Sequence, residues 1–123
     1  MSTFGTVVGD RSKAGRDEFL RYYSSAISIP SETITTIESI SKELDIFLVV
    51  GIIEKDNGTL YCTAIFIDPT QGLVAKHRKL MPTANERLIW GFGDGSTLPV
   101  VKKVFRSNQG TEISTKVSAT ICW

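Results

Sequence analysis

The sequence predicts an α/β layered fold, and three observations carry that prediction. Two segments near the start, 13–27 and 32–44, place apolar residues at helical spacing. Three β-rich runs follow at 46–53, 59–67 and 73–78, the first of them almost continuously apolar. Such a run suits a strand buried on both faces, and helices packed on a sheet make a layered domain.

The elements follow in order. Residues 1–12 are polar and glycine-bearing and read as a loop. In 13–27, Phe19, Tyr22, Tyr23 and Ala26 fall near one face, which predicts a core-facing amphipathic helix. Ser28-Ile29-Pro30-Ser31 interrupts the pattern, and Ser31 is an N-cap residue type with the proline outside the next helix. Over 32–44, Ile34, Ile37, Ile40 and Leu44 form an apolar stripe, with Glu32, Glu38, Lys42 and Glu43 largely opposite. After the first strand, Asn57-Gly58 is the residue pair of a tight hairpin turn. The β-branched and aromatic run 59–67 then forms the returning strand, and Asp68-Pro69-Thr70-Gln71-Gly72 turns the chain into a third strand ending at Lys79. A last strand is expected from Val117 to Cys122.

A chain of 123 residues holds one domain. Its 41% hydrophobic and 22% charged residues are those of a folded globular chain rather than a disordered one. A net charge of +1 gives no electrostatic footprint for nucleic acid or an acidic membrane. MSTFGTVVGDRS lacks a basic segment followed by an apolar one, and no apolar run approaches the ~18 residues that a span requires. The two cysteines, Cys62 and Cys122, are therefore expected as reduced thiols in a soluble, cytoplasmic protein.

One stretch, Lys76 to Val100 (KHRKLMPTANERLIWGFGDGSTLPV), is not written like an ordinary surface loop. Lys76, His77, Arg78 and Lys79 crowd the end of an apolar run, and Glu86 follows across a proline turn. Three glycines in Gly91-Phe92-Gly93-Asp94-Gly95 free the backbone for φ > 0 or for close approach, while Trp90 and Phe92 can clamp it. A basic run is ordinarily a solvated charge cluster, and a cysteine late in an apolar strand is ordinarily a core residue. The first of these readings weakens here, because the run sits between a buried-looking strand and an aromatic loop; the second stands on the residues alone.

This stretch resembles the segment around the catalytic lysine in nitrilases of the carbon–nitrogen hydrolase superfamily. HRKLMPT, then ERLIWGFGDGST, then Ala119-Thr120-Ile121-Cys122-Trp123 occur in the family's order, the last resembling its nucleophile motif. GTLYCTAIF and LVVGIIE match the preceding strands. The resemblance implies an αββα sandwich, of which this chain is only part, truncated at both ends. It implies Cys122 as nucleophile, Lys79 as catalytic lysine and Glu86 as a second glutamate that holds the lysine. Trp90, Phe92 and Trp123 would shape the substrate pocket, Asp94 the loop. His77 has no catalytic place in the family pattern and is expected to be a hydrogen-bonded packing residue; Cys62 is expected to be structural. A small-molecule nitrile is the implied substrate, with no cofactor and no metal, and a homo-oligomer is the implied assembly of full-length relatives.

Two departures qualify the resemblance. The family's general base is a glutamate on a strand upstream of anything matching Phe4-Gly5-Thr6, and none of Glu18, Glu32, Glu38, Glu43 or Glu54 lies in that context. The 123-residue chain alone is therefore expected to hydrolyse nitriles little or not at all, and its alternative role is an inactive module that co-assembles with full-length homologues. Cyanide hydration and amide hydrolysis, served by the same residue types, are the neighbouring activities. The second departure is Lys102 to Gly110 (KKVFRSNQG), a polar and basic piece where the family pattern has a short turn. It reads either as a surface insertion or as sequence introduced by an error in the gene model.

Overall fold

A computed structural model describes residues 10–122. Helices α1 (Lys13–Ser25) and α2 (Glu32–Leu44) precede an antiparallel sheet of β1 (Leu48–Asp56), β2 (Thr59–Asp68) and β3 (Gly72–Arg78), with β2 central. Two short 3-10 turns, Ala84–Leu88 and Gly95–Thr97, lie in the segment that leads to a hairpin of β4 (Val101–Arg106) and β5 (Glu112–Val117). The mixed α/β class expected from the sequence is the one observed.

Local chemistry accounts for the boundaries. The Ser12 hydroxyl accepts from the Gly15 N–H at 3.1 Å and starts α1, and Ser31 occupies the N-cap of α2. Asp45, at φ 49°, ends α2 in the left-handed region. Asn57 (φ 47°) and Gly58 (φ 84°) both take the positive φ that a two-residue turn between β1 and β2 requires.

The core lies between α2 and the sheet, where Ile34 packs with Ile52, Ile65 and Ile67. Fully burying each such side chain stabilises by about 1.5–3 kcal/mol. The buried face of α2 differs from the expected stripe: Ile34 and Ser41 are buried, whereas Ile40 and Leu44 are exposed. Ser41 tolerates burial because its hydroxyl donates to the Ile46 carbonyl at 2.6 Å. Glu38, placed by its spacing on the outer face, instead accepts from the Leu73 N–H at 2.8 Å and pins α2 to the start of β3.

Two further expectations are corrected. β1 is not buried on both faces: Ile52 and Glu54 are buried on the face toward α2, while alternation turns Val49 and Gly51 to the other face, where they are exposed. It is β2, flanked on both sides, that is buried continuously from Thr63 to Asp68. Helix α1 packs lightly, with only Gly15 buried and Phe19 and Leu20 exposed. Its end is tied to β1 by two backbone hydrogen bonds of 2.8 Å, Ile27 N–H to Ile53 and Lys55 N–H to Ile27.

The pairing of β2 with β3 contains one irregularity. Phe66 opposes Ala75 and Ile67 opposes Leu73, so Val74 has no partner and forms a bulge.

The last strand is also displaced from where the sequence placed it. β5 ends at Val117, which pairs with Val101, and residues 118–122 continue outside the ladder. The ladder stops there because Pro99, two residues before β4, lacks the N–H that further pairing would use. Residues 102–110, read as an intervening piece, are mostly ordered β4, and the chain reverses through a turn closed by Ser107 and Thr111. The hairpin is held to the main sheet by Lys103–Asp68 at 2.6 Å and by an edge-to-face contact of Phe105 on Phe47. Burial pushes the Asp68 carboxyl up, but Lys103 and Thr70 outweigh it and hold the group near 2.

Candidate active site

Strand alternation divides the four basic residues between the two faces of the sheet. Lys76 and Arg78 point to the α2 side, where Glu54 is 1% exposed. Glu54 accepts from Arg78 Nε at 2.8 Å, Arg78 Nη2 at 2.6 Å, Lys76 Nζ at 2.5 Å and Thr63 Oγ1 at 2.8 Å. Arg78 also reaches Asp56 at 2.7 Å and lies 3.9 Å from the Tyr61 ring centroid. Burial opposes the charge of Glu54, yet the bonds from Arg78, Lys76 and Thr63 bring its pKa down to about 2. This buried centre was missed from the sequence, where Glu54 had been set aside. Its parity with Leu48, Val50 and Ile52 on β1 was the available signal.

His77 and Lys79 point to the opposite face and are both buried. His77 Nδ1 meets the Thr97 carbonyl at 2.7 Å, so that nitrogen carries the proton, in keeping with a packing residue. Lys79 continues the ladder for one more residue, its N–H donating to the Cys62 carbonyl at 2.8 Å. The segment after it is folded back to hold that end: Gly93 N–H donates to the Lys79 carbonyl at 2.9 Å, and Gly91 N–H to the Leu60 carbonyl at 2.8 Å.

Gly91 and Gly93 are explained by close approach rather than by left-handed backbone, whereas a Cβ on Gly95 would meet nothing within 4 Å. A Cβ on Gly93 would stand 2.5 Å from the Arg78 carbonyl oxygen and 2.8 Å from that of Lys79. Both are backbone atoms fixed by the sheet, so Gly93→Ala must push the loop away. We expect a loss of about 1–3 kcal/mol in urea unfolding. Unchanged stability in that variant would show that the loop does not depend on this contact.

Lys79 Nζ pairs with Glu86 Oε2 at 2.5 Å, the lysine side chain being 5% and the glutamate 26% exposed. Glu86 is presented by the turn itself, because Thr83-x-x-Glu86 has capping-box spacing. Its Oε2 also accepts from the Thr83 N–H at 2.7 Å, and Pro82 before it is fully buried. Ala84 takes φ 49° in this turn, a conformation that costs a residue with a Cβ about 1–2 kcal/mol. Burial raises the Glu86 pKa, but the Lys79 and Thr83 hydrogen bonds and the Lys79 charge leave it below the ordinary value.

Lys79 and Cys122 line one cavity of about 220 Å³, together with His77, Leu80, Met81 and Ile121. Trp90, expected to shape the pocket, does not line this cavity; its ring centroid is 5.9 Å from Lys79 Nζ. Phe92 is 58% exposed and does not line this cavity. Trp123 lies outside the described residues. Asp94 serves the loop, its carboxylate accepting from the Ser96 N–H at 2.8 Å. Cys62 is half-buried, and burial raises its pKa further than the Lys79 charge lowers it. A second, larger cavity lies under the β4–β5 hairpin, but Lys103 and Arg106 in its wall are paired with Asp68 and Glu112. Among the described residues no cluster of metal-ligating side chains occurs, and no helix is long and apolar enough to cross a membrane.

The family model for carbon–nitrogen hydrolases matches residues 3–123. The chain belongs to the carbon–nitrogen hydrolase family. It is 65% identical over 125 residues to an arylacetonitrilase of Trametes versicolor, a match covering all of this chain and 39% of that protein. Against a nitrilase of Bradyrhizobium diazoefficiens it is 48% identical, covering 99% of this chain and 35% of the relative. A bifunctional nitrilase/nitrile hydratase of Nicotiana tabacum is 44% identical, with 32% of its length covered. This carbon–nitrogen hydrolase chain thus spans between 32% and 39% of the length of these relatives. Its fold matches a crystal structure of an N-terminal amidase with a TM-score of 0.64 at 20% identity, over 87% of this chain and 27% of the other. The partial layered sandwich expected from the resemblance is consistent with that match.

Proposed function

We propose that this chain carries the lysine and nucleophile segment of a hydrolase that converts nitriles to carboxylic acid and ammonia. The observation that supports this reading most is that Lys79, ion-paired to Glu86, opens on the same cavity as Cys122. The Cys122 thiolate adds to the nitrile carbon, forming the C–S bond while one C≡N π pair moves to nitrogen. That nitrogen takes up a proton to give a thioimidate, and the Lys79 ammonium stabilises the negative charge developing there. Water adds to the thioimidate carbon, ammonia leaves, and the resulting thioester is opened by a second water that frees the acid and the thiol. Both water steps need a general base. Glu86 fixes the Lys79 ammonium and keeps its charge aimed at the cavity. The apolar wall of Leu80, Met81 and Ile121 suits an uncharged substrate such as an arylacetonitrile, the substrate class in the name of the Trametes versicolor relative.

The reading is tested in a chimera in which this segment replaces its counterpart in the Trametes versicolor arylacetonitrilase. Ammonia release from an arylacetonitrile is expected, falling at least a hundredfold in Cys122→Ala and in Lys79→Met. A chimera that folds and assembles but releases no ammonia would overturn the proposal. The thiol is tested in the chain itself by iodoacetamide labelling and peptide mapping. Cys122 is expected to react severalfold faster than Cys62, and Lys79→Met to slow it severalfold. Equal rates with and without Lys79 would remove the lysine from its role.

A further inference from the structure

Trp90 is held through the main chain around it and at one point of its ring. Its N–H donates to the Glu86 carbonyl at 2.8 Å, the next N–H, of Gly91, donates to Leu60 at 2.8 Å, and Leu60 and Trp90 form a parallel β-bridge. These bonds fix the main chain and leave the side-chain torsions unset. The indole Nε1–H is what fixes the ring, and it donates to the Tyr22 hydroxyl of α1 at 2.9 Å, across 68 positions of sequence. The face so placed borders the Lys79 ammonium at 5.9 Å, inside the ~6 Å reach of a cation–π contact. Lys79 is 4% exposed, and the ring is one of the groups packed near its ammonium. Helix α1 otherwise packs lightly, with Phe19 and Leu20 exposed. A buried-side hydrogen bond to the site loop is thus a principal tie between this helix and the rest of the domain.

We propose that Tyr22 is a positioning residue for the Lys79–Glu86 pair, acting through the indole of Trp90. The Tyr22 hydroxyl sets the ring, the ring confines the ammonium, and the confined ammonium keeps its short bond to Glu86. That the pair serves nitrile hydrolysis rests on the reading above; the geometric dependence of the pair on Tyr22 stands apart from it. Without the hydroxyl, the indole N–H loses its acceptor and the ring is free to turn toward other partners. Lys79 then gains water, and its bond to Glu86 exchanges with solvation.

The test is made on the 123-residue chain by NMR. Tyr22→Phe keeps the ring of residue 22 and removes only the oxygen. Hydrogen exchange of the Trp90 indole N–H, assigned with Trp123→Phe, is expected to accelerate at least tenfold. The titration midpoint of the Glu86 carboxyl is expected to move up toward the ordinary carboxylate range. The groups that bear on this carboxyl are Lys79 at the end of β3, Cys62 on β2 and Tyr22 on α1. A direct effect of the tyrosine dipole is separated by the background of Trp90→Phe, which has no indole donor. There, Tyr22→Phe is expected to leave the Glu86 midpoint where Trp90→Phe has put it. A Glu86 midpoint unmoved by Tyr22→Phe, even with lower thermal stability, would overturn the proposal. So would an equal shift in both backgrounds, which would mean that Tyr22 acts without Trp90. In the chimera described above the same substitution is expected to lower kcat severalfold with KM unchanged. A chimera without activity would sink the functional reading and leave the NMR result to stand.

Discussion

Replacing Glu54 by alanine is expected to destabilise the chain by about 3–5 kcal/mol, enough to leave much of it unfolded. Glu54 is 1% exposed and is the shared acceptor of Arg78, Lys76 and Thr63. Removing it leaves the Arg78 guanidinium, 16% exposed, with Asp56 as its remaining carboxylate and the Thr63 hydroxyl without its acceptor. The cost is that of stranded charge more than that of a lost attraction, since a buried pair repays its own desolvation only in part. Glu54→Gln keeps shape and should lie between alanine and the native residue. Urea unfolding followed by circular dichroism measures all three. A loss below 1 kcal/mol for Glu54→Ala would mean that water reaches Arg78 and Lys76 freely.

Stability should also collapse in acid, within a window set by two carboxyls. Glu54 has its pKa lowered from 4.5 to about 2, and Asp68 from 3.8 to about 2. A carboxyl whose folded value is depressed stabilises the fold above its unfolded value, and that contribution fades as pH falls toward the folded one. The two gaps correspond to up to about 3 and 2 kcal/mol, with both side chains 2% exposed. Stability is therefore expected to be level from pH 7 to about 5 and to drop through pH 4 to 2.5. Glu54→Gln should flatten the larger part of that drop. A curve that stays level down to pH 3 would contradict the strength of both ion pairs.

The order of elements through β3 was legible because each rests on local rules, whereas β4 was read as an inserted piece and β5 was placed too late. The Asn57-Gly58 turn, the Ser31 cap and the long runs of β2 and β3 depend on residues within a few positions of one another. What the sequence hid were pairings between distant positions. Glu38 looked like a surface residue until its partner, the Leu73 N–H, was placed 35 positions away. Val49 looked buried because β1 is apolar throughout, and only the packing of α2 on the other face of the sheet leaves it exposed. The end of β5 was misplaced because apolar residues continue through Ile121 while the ladder partner does not.

Within the candidate site, the nearness of Lys79 to Glu86 followed from motif resemblance, and the capping-box spacing of Thr83 and Glu86 explains how that nearness is achieved. Tyr22 could not be found, since nothing in a helical stripe distinguishes a tyrosine that packs from one that receives an indole N–H. The glycines were read correctly as a place where backbone comes close, but the partner, the carbonyls of Arg78 and Lys79, was beyond sequence. Phe92, expected at the pocket, is turned outward by the same loop that sets Trp90 near Lys79.

The bulge at Val74 bears on which cation the site receives. After it, at the end of β3 and one residue beyond, come four consecutive basic or imidazole residues, and alternation sends every second one to each face. With Val74 unpaired, even numbers meet Glu54 and odd numbers meet the cavity. Were Val74 instead paired with Phe66, with the first pairs kept, the strand would come out one step over and offer Lys76 and Arg78 to the cavity, leaving Lys79 to face the buried carboxylate. The unpaired valine is thus a counting device: it contributes no group to the chemistry, yet it decides whether an ammonium or a guanidinium stands beside the thiol.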